Sequence, residues 1–201
     1  MDTRNSARAW LKVGPAAALA LLAACAVGNR YDYSKSINGL PVSGTGRIAV
    51  EVVDARPYVL NHEKKADFTG LQRGGFGNPF DVTTASGRPL AEDMHAAITK
   101  ALMQQGFTPV DATDAAPRRL ELRVNEWKTD VMMRFTVDYD LVLNVLDAQH
   151  ALLATSATKG SDTQGGGFES QNSTTAARQF ELRFTELVRN EAVHKALAGT
   201  P

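Results

Sequence analysis

Two periodicities divide the chain. From Arg119 to Trp127, Leu120, Leu122 and Val124 alternate with Glu121, Arg123 and Asn125. From Val131 to Val145 the alternation is longer. Val131, Met133, Phe135, Val137, Tyr139, Leu141, Leu143 and Val145 share one face, and Arg134, Thr136, Asp138, Asp140 and Asn144 share the other. A period of two predicts strands buried on one side and polar on the other, as in antiparallel sheets. Asp147-Ala148-Gln149-His150 reads as a turn, with Ala151 to Thr158 returning as the hairpin partner. Ile48 to Val53 is a β-branched run that reads as a buried strand, ended by Pro57, which has no ladder donor. The other period is helical. Leu90, Met94, Ala97, Ile98, Ala101 and Leu102 form one stripe across Pro89 to Gln105. Ser86 or Gly87 is placed to cap this helix and Gly106 to end it. Phe107 to Val110 is a short extended piece. Thr174 to Ala198 reads as a second helix with Ala177, Phe180, Phe184, Leu187 and Val188 on its apolar stripe, capped by Asn172, Ser173 or Thr174 and ended by Gly199.

The segments between are rich in turn formers. Residues 26–46 carry Gly, Ser, Asn and Pro around Tyr31 and Tyr33, and read as a flexible tether. Residues 57–86 hold Gly70, Gly74, Gly75, Gly77 and Pro79 among Phe68, Phe76 and Phe80, and read as a long surface loop pinned by its aromatics. Gly160 to Ser173, with three consecutive glycines, reads as a flexible connection. The expected fold is therefore α+β: a mainly antiparallel sheet of four to five strands with two packed helices.

The N-terminus changes the picture. Arg4, Arg8 and Lys12 precede an apolar run from Val13 to Ala24, which ends in Leu22-Ala23-Ala24-Cys25. The run is shorter than the roughly 20 apolar residues of a membrane span. It reads as a cleaved signal of the bacterial lipoprotein type. Cys25 is the single cysteine of the chain, so it has no internal disulfide partner. It is the expected lipidation site, carrying a diacylglyceryl group and an N-terminal acyl chain such as palmitate. Ala26 follows it, and the absence of Asp there points to the outer membrane. The expected organisation is a signal peptide over 1–24, a lipidated Cys25 and tether over 25–46, and one periplasm-facing domain over 47–199. That domain is long enough for a real core.

Charge excludes little else. The whole chain has a formal net charge of zero, and loss of the basic signal tips the remainder slightly acidic. Nothing in this balance suggests nucleic acid. Arg73-Gly74-Gly75-Phe76-Gly77 resembles a single RNA-binding RGG unit, which export makes irrelevant. Gly165-Gly166-Gly167 lacks the Lys-Ser/Thr of a phosphate loop.

No catalytic set stands out. His62, His95, His150 and His194 show no metal-ligand spacing. Cys25 is taken by lipid, and no Gly-x-Ser-x-Gly elbow occurs. Neither a metal nor a cofactor is expected, and the chain reads as a non-enzyme. Asp138 and Asp140, on one strand face beside Arg134, are the one candidate acid–base pair, and more simply a solvated face. Arg56, Phe68, Arg73, Phe76 and Phe80 mix arginine with aromatics as interfaces do, and are the candidate partner-binding residues.

The lipobox, the strand ending in Val53-Asp54-Ala55-Arg56, the Gly-rich insertion and Gln105-Gly106-Phe107 together resemble the YajG-type family of small envelope lipoproteins. The resemblance implies an envelope location and a broadly similar fold, with no catalytic residues to carry over. The leading expectation is a lipid-anchored envelope protein that binds a protein or glycan partner. The alternatives are an auxiliary lipoprotein of an ABC-type lipid or solvent transport system, and a periplasmic hydrolase using Asp138 and Asp140.

Overall fold

The computed structural model describes residues 29–74, 78–165 and 169–199. The signal segment, Cys25 and Phe76 lie outside the described residues. The elements run β1 (Arg30–Tyr31), β2 (Gly46–Asp54), α1 (Pro57–Leu60), β3 (Phe68–Arg73), β4 (Pro79–Thr84), α2 (Leu90–Gln104), β5 (Phe107–Asp111), β6 (Arg118–Val131), β7 (Arg134–Asp147), β8 (Leu152–Gly165), α3 (Glu169–Arg189) and α4 (Glu191–Ala198). Among the described residues no helix is long and apolar enough to cross a membrane.

All eight strands join one mixed sheet, not the four to five mainly antiparallel strands expected. The class remains α+β. Antiparallel pairing joins β6, β7 and β8, and also β3 with β4. Parallel pairing joins β2 to β5 and β6, β3 to β6, and β1 to β4. The parallel β2–β5 pair follows from α2, a crossover that returns the chain alongside the strand it left.

The strands that sequence reading missed arise in the segments taken for tether and loop. Glycine marks one of them. Gly70 sits opposite Thr129 on β6, where any side chain would run into the Thr129 backbone. Residues 29–45, read as part of a flexible tether, lie on the domain, with Tyr31, Tyr33, Ile37, Leu40 and Val42 buried. Tyr33 meets Trp127 edge-on at 6.0 Å, and its hydroxyl accepts from Trp127 Nε1 at 3.1 Å. The expected second helix is broken at Asn190, whose Oδ1 accepts from the amides of Ala192 and Val193 and so starts α4.

β6 is shared. Its first half pairs with β2 as far as Ala55, whose amide donates to the Val124 carbonyl at 2.8 Å. Its last residues pair with β3 from Gly70↔Thr129 onward. In the gap between them, Tyr58 Oη lies 2.7 Å from Glu126 Oε1 and 3.1 Å from the Trp127 carbonyl. Burial, then the Glu126 hydrogen bond, push the Tyr58 phenol above its ordinary 10.0, so it stays a neutral donor.

Arg56 closes this fork from inside and is 0% exposed. It donates through Nε and Nη2 to the two Asp54 carboxylate oxygens at 2.8 and 2.7 Å, and through Nη1 and Nη2 to the carbonyls of Phe68 and Ala66 at 2.5 and 3.1 Å. A buried charge is tolerated when its donors are matched in this way. Replacing Arg56 by Met leaves Asp54 without its cation and two carbonyls without donors. The expected loss is about 3–5 kcal/mol of stability, read from urea unfolding followed by tryptophan fluorescence. A loss below about 1 kcal/mol, the value of an ordinary surface pair, would contradict the role given to Arg56.

Candidate functional site on the open face of the sheet

Helices α2, α3 and α4 pack on the sheet, and their apolar stripes share one core with one of its faces. On β7 that face carries Phe135, Val137, Leu141, Leu143 and Val145, all buried. On β6 it carries Leu120, Leu122 and Val124, then Trp127, Thr129 and Val131. The step from 124 to 127 breaks the period of two. It is made by a bulge at Asn125, which shifts the register between Val124↔Leu141 and Glu126↔Asp140. The bulge keeps the apolar side chains of both halves on the helix side, and so leaves the opposite face mainly polar, with Val142 and Leu146 its apolar members on β7.

Among the described residues, no helix packs on that opposite face across β6, β7 and β8. Its rows are linked by side-chain hydrogen bonds. Thr155 Oγ1 donates to Asn144 Oδ1 at 2.8 Å, and Asn144 Nδ2 donates to Glu121 Oε1 at 3.0 Å. Lys159 Nζ and Asn125 Nδ2 both donate to Asp140, at 2.8 and 3.1 Å. Asp138 stands between Lys128 and Ser161 in the register. Thr136 and Thr163 are 3.1 Å apart. At the end of the face Arg73 holds Asp130 through Nε and Nη2, the shortest contact being 2.6 Å. The face therefore presents both signs of charge and many fixed donors and acceptors.

The structure separates the residues expected to bind a partner. Arg56 and Phe68 meet in the interior, where Phe68 is 2% exposed. Phe68 packs edge-on to Tyr58 at 5.5 Å. Arg73 is partly exposed and committed to Asp130. Phe80 lies half-buried on β4 opposite Gln72. With Phe76 outside the described residues, no surface among those described gathers the other four together. The open face was visible in the alternations of Val131 to Val145 and of Leu120 to Asn125, but the part of β6 beyond the bulge was hidden.

Asp138 and Asp140 do share that face. The Asp140 carboxyl is held below its ordinary 3.8, chiefly by the Lys159 hydrogen bond; burial opposes the shift and Asn125 adds to it. An ionised carboxylate locked to an ammonium is a poor general acid. The histidines lie apart: His62 and His150 in turns with positive φ, His95 on α2, and His194 with Nε2 3.0 Å from the Pro41 carbonyl. Among the described residues no group of three or more His, Cys, Asp or Glu side chains is placed to hold a metal.

Two open grooves flank the sheet. One, of about 350 Å³, runs between residues 32–38 and α3 and includes Asp32, Lys35, Arg178 and Glu181. The other, of about 390 Å³, runs between β2 and α2 and includes Glu51, Arg88, Glu92 and His95. Charged side chains contribute to both.

Comparison with known proteins gives fold without family. No family model matches the chain, and no curated protein does. Among solved structures, the chain is similar to a Xanthomonas campestris protein described under the family model DUF330, with 14% identity and a TM-score of 0.55. That match covers 81% of this chain and 93% of the other. It shows a shared fold. A lipoprotein from Neisseria meningitidis matches at 12% identity and TM-score 0.29, covering 69% of this chain and 96% of its own. The PelC dodecamer from Paraburkholderia phytofirmans matches at 12% and 0.30, covering 72% and 92%. At those scores neither of the last two carries an argument. None of the three bears the YajG-type name.

The Lys159–Asp140 pair sets a pH dependence. A carboxylate whose folded pKa is depressed contributes stability that is full above its ordinary pKa and is lost as pH falls through the depressed value. Asp140→Asn is therefore expected to flatten the acid side of the stability profile below about pH 4. Urea midpoints measured from pH 2 to 7 read this directly. Parallel acid limbs for the two proteins would contradict it.

Proposed function

We propose that the chain is a lipid-anchored protein of the outer membrane that faces the periplasm and acts by binding an envelope protein or glycan, without catalysis of its own. The observation that supports binding is the open face: three adjoining strands, each of fourteen residues, with no helix among the described residues on one side, which is lined with ordered polar groups. Such a surface offers a partner fixed hydrogen-bonding positions and compensated charge, which favours specificity. The anchor rests on Leu22-Ala23-Ala24-Cys25, with the first sheet-bound residues only a few positions beyond. The hydrolase reading has the weaker support, because Asp140 is committed to Lys159 and Asn125. The transport-auxiliary reading calls for an enclosed apolar pocket, and both of these grooves are open and mix charged with apolar side chains.

Photo-crosslinking residues placed at Arg123, Asp138 or Thr155 are expected to capture one distinct envelope component in cells, while the same residue at Arg178 on α3 is not. Equal, unselective adducts from both surfaces would overturn the binding reading. The anchor has its own test. Wild type is expected in the outer-membrane fraction with an acylated Cys25 by mass spectrometry, and Cys25→Ala is expected to be unprocessed or released. A soluble, unacylated wild type would overturn it.

A further inference from the structure

The two ends of the sheet both show exposed apolar side chains, so exposure alone does not say which end meets a membrane. At one end the β6–β7 hairpin turns through Met132 and Met133, which are 57% and 84% exposed. Arg134 follows them and is also exposed. At the other end stand Met103, Leu152 and Leu153. The path of the chain breaks the tie.

β3 runs parallel to β6, so its last residues approach the hairpin: Gln72 pairs with Val131. β4 returns antiparallel, starting at Pro79 opposite Arg73. β1 runs parallel to β4, away from the hairpin, with Arg30 beside Thr83 and Tyr31 beside Thr84. β1 therefore begins at the end nearer Met132 and Met133. Asn29 confirms the direction, because its Nδ2 donates to Gln72 Oε1 at 2.9 Å, level with the last residue of β6. Cys25 precedes Asn29 by four residues, a reach of about 13 Å at 3.3 Å per residue. Asn29 itself stands about three residues, or roughly 10 Å, short of the hairpin tip along the sheet. The opposite end lies the length of β6 away, about 45 Å for fourteen residues, beyond that reach.

We infer that the β6–β7 hairpin tip, Met132-Met133-Arg134, is a membrane-docking tip that seats the domain end-on against the lipid bilayer holding Cys25. This rests on the proposed lipidation of Cys25. The thioether side chains are flexible and polarizable and suit the irregular acyl–headgroup boundary. Arg134 directly behind them suits headgroup phosphates. The acyl chains supply the anchoring, and the hairpin sets the orientation, since a second contact with the bilayer restrains the tilt that the acyl anchor alone leaves free.

The test uses the full acylated protein, in which Cys25 is blocked and an introduced cysteine is the sole free thiol. Met133→Cys and Met103→Cys are each labelled with an environment-sensitive fluorophore and reconstituted in phosphatidylethanolamine–phosphatidylglycerol vesicles containing lipids with a spin-label quencher. Label at position 133 is expected to lose most of its emission to quencher lipid, and label at position 103 to keep it. Equal emission from both positions, or quenching at 103 instead, overturns the docking tip while vesicle flotation shows the anchor intact. Failure to float, with no acyl group on Cys25 by mass spectrometry, overturns the tip together with the anchor reading on which it rests. The charge-bearing Met132→Glu/Met133→Glu protein gives a second reading. It is expected to float as wild type but to expose the neighbouring hairpin residues to added protease; unchanged protection overturns the tip.

Discussion

A guanidinium in the interior decides how this sheet is built. β6 is too long for one neighbour and is flanked on the same edge by β2 and then by β3. Where two strands divide one edge, backbone groups in the gap need partners, since a buried orphan is costly. Arg56 and Tyr58 supply them, and Arg56 also ties Asp54 at the end of β2 to Phe68 at the start of β3. The excursion through α1 is thereby closed at its base. Everything beyond it, the β3–β4 hairpin and the β1 strand laid on its edge, is held in register with the last residues of β6.

A second device acts on the same strand. The bulge at Asn125 changes which residues of β6 face the helices, and Trp127 becomes the point where three parts of the chain meet. Its ring contacts Tyr33 from the N-terminal segment and Phe180 from α3, both edge-on at about 6 Å, and its Nε1 is satisfied by the Tyr33 hydroxyl. Arg183 of α3 adds a further tie, resting 4.8 Å above the Tyr139 ring and pairing with Asp162 of β8. Gly160 makes room for that ring, because a side chain there would collide with it. One face is thus fully committed to packing, and the other stays mainly polar and open.

How much of this was legible in sequence follows from the range of each signal. The β7 alternation and the α2 stripe are local patterns, and both elements appear within two or three residues of where the pattern puts them, although Val131 ends β6 and Met133 stands exposed in the turn rather than on the buried face. β1, β3 and β4 are short, and their pairing partners lie far along the chain; nothing local distinguishes a Gly-rich loop from a Gly-rich strand whose glycine makes room for Thr129. Tyr31 and Tyr33 looked like tether residues because their partners, Phe135 and Trp127, are distant in sequence. Sequence reading offers Arg56 as a partner-binding residue, and the structure buries it. Arginine beside aromatics describes an interface and a buried ion pair equally well, and only burial separates them. The phase change at Asn125 has no composition signature, so the extent of the open face was also hidden.

These features combine into an orientation. The fork fixes β3 and β4 at the hairpin end of β6, β4 fixes β1, and β1 fixes the end nearer which the described chain begins. Only three residues separate Cys25 from Asn29, so with the proposed acyl anchor and docking tip the long strands are expected to stand along the membrane normal, with the open face rising from the bilayer. Neutron reflectometry of the acylated protein on a supported bilayer measures that arrangement directly. The account predicts a protein layer about 45 Å deep, the length of β6, beginning at the headgroups with no hydrated gap. A protein layer separated from the headgroups by a water layer, or one much thinner than the strands are long, would contradict it.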